Sequence, residues 1–257
     1  MHPQFHRWRD AWSGARQGLL LGVAALVLIT PPPRLATRRV GVSPAPFAAL
    51  VAPPAKLSRP DFSGHSASVD VRLLADWIAA SSDNQQLPFA LLDKRDARLF
   101  VFDGQARVID SSPVLLGAAV GDDSVAGIGN RPIASVRPEE RTTPAGRFVS
   151  APGKNANGEQ VVWVDYDAAV SMHRVRPVDP RERRLERLAS PDPAQRRISY
   201  GCINVPVAFF DSAVWPVLGA GRGIVYVMPE TRDTRQVFAG LDRPRTLASK
   251  VTLRAGL

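Results

Sequence analysis

The chain has 257 residues, 33 Lys and Arg against 24 Asp and Glu, four histidines and one cysteine. A hydrophobic content of 45% excludes a disordered chain, and a single cysteine excludes an intrachain disulfide framework or a multi-cysteine zinc site. The formal charge of +9 suits a nucleic-acid binder only if it is spread over one surface, and it is not.

Residues 1–39 hold six arginines against Asp10 alone, and the stretch from Arg174 to Arg197 holds eight against four acids. Aromatic residues are not interleaved with the basic segment, so a nucleic-acid partner is not expected. The charge divides into a leader and one local segment.

The leader runs over residues 1–30. A basic stretch through Arg16 precedes the apolar run Gly18 to Ile29, 12 residues closed by Pro31-Pro32-Pro33. A membrane-spanning helix needs about 20 residues. This layout predicts a secretory signal or a short signal anchor. The rest of the chain is then expected in the periplasm or cell envelope, with inner-membrane contact through residues 18–29 if the leader stays uncleaved. Cleaved and anchored forms both stay open. Leu35-Ala36-Thr37 is a poor small-x-small site, and Ala45 to Ala48 lies far downstream. Residues 31–68, rich in Pro, Ala and Ser, read as a spacer.

Val71, Leu74, Trp77 and Ile78 recur at helical spacing and predict a helix over 69–81. From Phe89 the pattern turns to strands. Ala97 to Phe102 alternates, Asp103-Gly104 is a hairpin-turn dipeptide, and Ala106 to Ile109 returns. Further strands are expected at 113–120, 146–149, 161–164, 168–173, 197–199 and 223–228. Asp179-Pro180 opens a short charged helix over 181–188, and a second helix is expected over 206–218, just beyond Cys202. The sum is a mainly β domain with a few helices over residues 69–230, followed by a loosely held tail, 231–257.

A lone cysteine is more often an inert core thiol than a nucleophile. Here Gly201 allows a sharp turn before Cys202, and consecutive N–H groups at Tyr200, Gly201 and Cys202 offer an oxyanion site. A helix start just downstream would favour the thiolate. A nucleophilic cysteine needs a histidine base. His2 and His6 lie in the leader and His65 in the spacer, which leaves His173, at the end of a strand.

His173, followed by Ser199-Tyr200-Gly201-Cys202-Ile203-Asn204, resembles the signature of the L,D-transpeptidase (YkuD-like) catalytic domain. Thr143-Pro144-Ala145-Gly146-Arg147-Phe148 is similar to that family's Thr-Pro-x-Gly-x-Phe block, and Phe102-Asp103-Gly104 to its opening hairpin. The resemblance covers residues 88–230. It differs at Tyr200, where the family commonly has a second histidine, and in the 25 residues between His173 and Ser199, a longer gap that contains the arginine-rich segment. An inserted lid or flap would account for the extra length.

The resemblance implies a β-sandwich or barrel with a Cys-His site and no metal or organic cofactor. It implies Cys202 as nucleophile, His173 as base, the Arg174 backbone carbonyl as the group that orients it, and Gly201 and Tyr200 N–H as oxyanion donors. Ser199 and Asn204 are implied at the substrate, and Arg196 and Arg197, the arginines closest to Cys202 in sequence, are expected to contact a substrate carboxylate. The implied substrates are peptidoglycan peptide stems, joined 3–3 through a thioester, with another stem, a lipoprotein lysine or water as acceptor. A stem hydrolase and a non-catalytic wall-binding module of the same fold are the alternatives. The segment from Arg174 to Arg197 either attracts anionic stems or is a solvated face laced with pairs such as Arg183–Glu186. Trp163 and Tyr166 either line the donor site or belong to the core.

Overall fold

The computed structural model describes residues 59–242. The expected leader, most of the spacer and residues 243–257 lie outside the described residues.

Helix α1, Val69–Ser81, forms where the periodicity places it. Ser68 caps it by accepting from the Val71 N–H, and its own hydroxyl donates to Asp93 (2.7 Å). Val71, Leu74, Ala75, Ile78 and Ala79 make one apolar stripe and are all buried. That stripe packs on the aromatic face of β1 (Phe89–Asp93), β2 (Arg98–Phe102) and β10 (Gly223–Val227), where Phe89, Phe100, Phe102 and Tyr226 lie. Truncating Leu74 or Ile78 to alanine should cost about 2–5 kcal/mol.

The opposite face of the same strands carries Ala90, Leu92, Leu99, Val101, Val225 and Val227, and faces a second core. Burial on both faces explains why these strands read as continuous apolar runs. Completing the list are β3 (Val108–Pro113), β4 (Leu116–Gly117), β5 (Gly146–Lys154), β6 (Gln160–Asp165), β7 (Val170–Arg174), β8 (Arg197–Ser199) and β9 (Ile203–Val205).

Eight strands form one mixed sheet in the order β3-β2-β1-β10-β5-β6-β7-β9. Most neighbours are antiparallel; β1 with β10 and β7 with β9 are parallel. Leu115, just after β3, exchanges two backbone hydrogen bonds with Asn204 of β9 (2.9 and 2.8 Å), so the two edges of the sheet are stitched together. The result is a nearly closed, mainly β architecture.

The structure modifies the expected elements at several places. The strand expected over 113–120 breaks, because Pro113 ends β3 and Leu115 turns to β9, leaving β4 to pair with β8. The charged helix begins only at Arg184 (α2, Arg184–Ala189), since Arg183 takes φ +49° and splits off the 3-10 turn Pro180–Glu182. Helix α3 runs through Val207–Phe209, the π-helical Phe210–Val214 and Trp215–Leu218. Pro216 has no N–H for the α-type bond, which accounts for the π stretch before it.

The folded part also reaches past both expected edges. Phe62, from the expected spacer, and Phe238, beside α4 (Thr234–Val237) in the expected tail, are buried in the aromatic core. Single aromatics in polar, proline-bearing sequence carry no periodicity to announce them.

Candidate functional site

Strand alternation builds the site. Along β7, Val170 and Met172 point into the second core while Ser171 and His173 point the other way. In the parallel pairing with β9, His173 stands opposite Asn204 and Met172 opposite Ile203. Cys202, one residue before β9, therefore faces the side chains of Ser171 and His173. Ser171 Oγ lies 3.9 Å from Cys202 Sγ, and the Ala169 carbonyl accepts from the thiol at 3.6 Å. Ser171 carries a sequence signal of its own, two residues before His173 on one strand.

His173 is held from behind. Its Nδ1 lies 2.9 Å from the Arg174 carbonyl oxygen. A carbonyl only accepts, so Nδ1 carries the proton and Nε2 is the free base in the neutral ring. The Arg174 guanidinium turns away to Asp211 and Gln160.

The thiol and imidazole shift each other's titration. Burial pushes the Cys202 thiol up, but the hydrogen bond and charge of His173, with hydrogen bonds from Ser171, outweigh it and leave the thiol below its usual value. Burial pushes His173 down. The bond to Cys202, its thiolate charge and the Arg174 carbonyl outweigh that and leave His173 above its usual value, with the positive charge of Arg184 opposing. Both directions favour a thiolate–imidazolium pair.

The loop before Cys202 is fixed by short polar contacts. Gly201 sits at φ +126°, and a Cβ there would stand 2.9 Å from the Thr142 carbonyl oxygen, so the position suits glycine. Ser199 Oγ donates to the Cys202 carbonyl (2.6 Å), and Thr143 Oγ1 donates to the Gly201 carbonyl (2.8 Å). Thr143, the first residue of the Thr-Pro-x-Gly block, is thus a clamp on the loop that carries Cys202. Arg141 stacks its guanidinium on the Tyr200 ring at 3.9 Å.

Several of the expected site residues have partners of their own within the protein. The Gly201 N–H donates to Ser199 Oγ (3.2 Å), and the Ser199 hydroxyl donates to the Cys202 carbonyl. Strand β9 separates Cys202 from α3, so the α3 N-terminus does not act on the thiol; His173 lowers its pKa instead. Arg196 is buried, donating to the Asp96 and Ser190 carbonyls. Arg197 donates to the Lys94 carbonyl and pairs with Glu230. Both guanidinium groups are engaged inside the protein rather than beside Cys202.

Arg184 was not anticipated. From α2 in the arginine-rich segment it reaches the Asn204 Oδ1 with Nη1, while its Nε pairs with Glu182. Asn204 Nδ2 in turn lies 3.3 Å from the Cys202 carbonyl and 3.4 Å from His173 Nε2. Arg181 with Asp179 and Arg183 with Glu186 form a solvated, internally paired face, and the exposed Arg176 reaches Glu159 outside the segment.

A cleft of about 650 Å³ opens on the β6–β7 turn, lined by Asn130, Trp163, Tyr166, Asp167 and Ala169 among others. Trp163 and Tyr166 pair their rings at 5.0 Å, and Tyr166 is 76% exposed, so neither belongs to the two cores. Ala169 joins this cleft to the thiol. Among the described residues no three His, Cys, Asp or Glu side chains gather as a metal site, and no helix is long and apolar enough to cross a membrane.

No protein-family model and no curated protein matches the sequence. Among solved structures, the chain is similar to the NMR structure of the catalytic domain from E. faecium L,D-transpeptidase. The two are 17% identical, the match covers 56% of this chain and 98% of that chain, and the TM-score is 0.31.

Proposed function

We propose that this protein is an exported cysteine acyltransferase that joins peptidoglycan peptide stems, an L,D-transpeptidase. The observation that carries the reading is the Cys202–His173 pair, with its imidazole held through Nδ1 by the Arg174 carbonyl so that Nε2 serves the thiol. Thiolate, base and N–H donors are what covalent acyl transfer requires. The substrate comes from the motif resemblance around His173, Thr143 and Ser199 to Asn204, and the envelope location from the leader layout of residues 1–30.

The Cys202 thiolate attacks the carbonyl of the L-centre of diaminopimelate in a donor tetrapeptide. The oxyanion that forms is met by backbone N–H groups of the loop at Tyr200 and Cys202. As the C–N bond to the terminal D-Ala breaks, the His173 imidazolium gives its Nε2 proton to the departing amine. A thioester on Cys202 remains. An acceptor amine then attacks the thioester carbonyl, loses its proton to Nε2 and expels the thiolate, which leaves a 3–3 cross-link. The acceptor amine is a second stem; a lipoprotein lysine has the same chemistry. Trp163 and Tyr166 form the wall along which a stem approaches the thiol.

Intact-protein mass after incubation with a tetrapeptide donor tests the reading. The expected result is an adduct on wild type equal to donor minus D-Ala, absent from Cys202→Ala, with 3–3 dimers among the released products. Shortened stems without dimers would assign a hydrolase. Wall binding with no adduct would assign a binding module.

A further inference from the structure

Asn204 touches both halves of the Cys–His pair, and its own orientation is set from outside the motif. We propose that Arg184, carried on the inserted helix α2, is a positioning residue: it locks the Asn204 amide so that its NH2 group faces His173 Nε2, and thereby sets the proton balance of the base. The inference rests on the Cys–His reading above.

The geometry leaves one arrangement. A guanidinium has donors only, so the Asn204 atom it meets is the amide oxygen. The NH2 group is then directed at two acceptors, the Cys202 carbonyl at 3.3 Å and His173 Nε2 at 3.4 Å. The Cys202 carbonyl confirms the orientation independently, because a carbonyl cannot donate. With Nδ1 committed to the Arg174 carbonyl, Nε2 is the lone-pair nitrogen of the neutral ring and the natural acceptor for that amide.

An N–H aimed at Nε2 stabilises the neutral imidazole. The Arg184 side chain, 14% exposed, adds a positive charge in the same sense. Opposing it are the Cys202 thiolate and the Arg174 carbonyl. Glu182 partly neutralises Arg184, and the Arg174 side chain is engaged with Asp211. The pair is thereby kept poised, so that His173 both receives and returns a proton, instead of resting as a fixed ion pair. The insertion thus contributes to the chemistry without touching substrate.

The test is the titration of His173 by histidine-labelled NMR on the full chain, in a Cys202→Ala background that removes the thiolate. Arg184→Gln should raise the His173 pKa, and Arg184→Lys, which keeps the charge but loses the planar fork, should raise it less. Asn204→Asp, which keeps an acceptor for Arg184 but puts an oxygen toward Nε2, should raise it more than either. A folded Arg184→Gln protein whose His173 titrates as in the parent would overturn the proposal, and if that variant fails to fold, an unmoved His173 in Asn204→Asp would do so. The underlying reading has its own control in the protein with Cys202 intact. Alkylation of Cys202 with the pH dependence of an ordinary thiol would remove the Cys–His pair and this inference with it. A thiolate well below the usual range beside an unmoved His173 would remove only the role of Arg184.

Discussion

Two buried polar clusters lie on either side of Thr143, and they are built to opposite ends. The first gathers Lys94, Asp122, Glu230 and Arg197. Lys94 Nζ reaches Asp122 Oδ1 (2.8 Å), the Thr143 carbonyl (2.9 Å) and Glu230 (3.4 Å), with the lysine side chain fully buried. Asp122 also accepts the N–H groups of Glu230, Thr231 and Arg232, which fastens the chain after β10. Lys94, Arg197 and Arg232 face the two carboxylates, and the Asp122 carboxyl is held well below the usual range despite burial, chiefly by Lys94 and Thr231. The second cluster is Cys202, His173, Asn204 and Arg184. Its carboxylate, Glu182, pairs with Arg184 and not with the base, and the anion that faces the base is a thiolate that must be made by moving a proton. The first cluster is closed and holds the fold; the second is left adjustable, as the proposed acyl transfer requires.

The largest expected effect follows from that contrast. Cys202→Ala should abolish the acyl adduct in intact-mass measurement and move the urea midpoint little, since the thiol's contacts to the Ala169 carbonyl and Ser171 Oγ are long, 3.6 and 3.9 Å. Lys94→Met should do the reverse. It leaves Asp122 and Glu230 buried without their shared cation, a loss of about 3–5 kcal/mol in urea unfolding, while any protein that stays folded still alkylates at Cys202. A Cys202→Ala protein as destabilised as Lys94→Met would erase the distinction between the clusters.

The adjustable cluster should also show itself by pH. Cys202 is the only cysteine, so iodoacetamide uptake by mass reads its thiolate directly. With the Cys202 pKa lowered, the thiolate persists as pH falls below the ordinary thiol value of about 8.5. His173→Ala removes both the bond and the charge that lower it, and burial then acts alone. The alkylation profile should move up to or above 8.5. An unmoved profile would mean that something other than His173 activates the thiol.

Thr143 tests whether the two clusters are independent. Its carbonyl accepts from Lys94, its hydroxyl donates to the Gly201 carbonyl, and the Gly117 N–H donates back to that hydroxyl (2.9 Å). Thr143→Val keeps the carbonyl and the shape but strands two buried polar groups, a cost of about 1–3 kcal/mol. The acylation rate should fall as well, because the nucleophile loop loses its clamp. Lost stability with an unchanged rate would show that the loop needs no support from this side.

Much of this was legible in sequence. The apolar stripe of α1, the position of β2 and the Asp103-Gly104 turn all rest on local pattern and stand where the pattern puts them, although β2 is buried on both faces and does not alternate. The pairing of Cys202 with His173 came from elimination and motif. What escaped was long-range: Arg196 and Arg197 look like substrate arginines because they are near Cys202 in sequence. The closure of the barrel sends Arg196 to the β1–β2 turn and Arg197 to Glu230. Arg184 looked like one more charge on a solvated helix, because nothing in sequence spacing says that α2 folds back onto β9. A buried Lys94 is unreadable for the same reason, its partners lying 28 and 49 residues away.

The smallest expected effect is also the sharpest control on that last point. Arg183 and Arg184 are adjacent, carry the same charge and begin the same helix. Arg183 pairs with Glu186 with both side chains mostly exposed, whereas Arg184 is largely buried against Asn204. An exposed pair three residues apart is screened by water and salt and contributes little. Arg183→Ala should therefore leave the melting temperature, the alkylation profile and the His173 titration where they are, while Arg184→Gln moves the last of these. Equal shifts from both would mean that the base senses only the net positive charge of the inserted segment. A shift from Arg184 alone would mean that it senses one guanidinium through one amide.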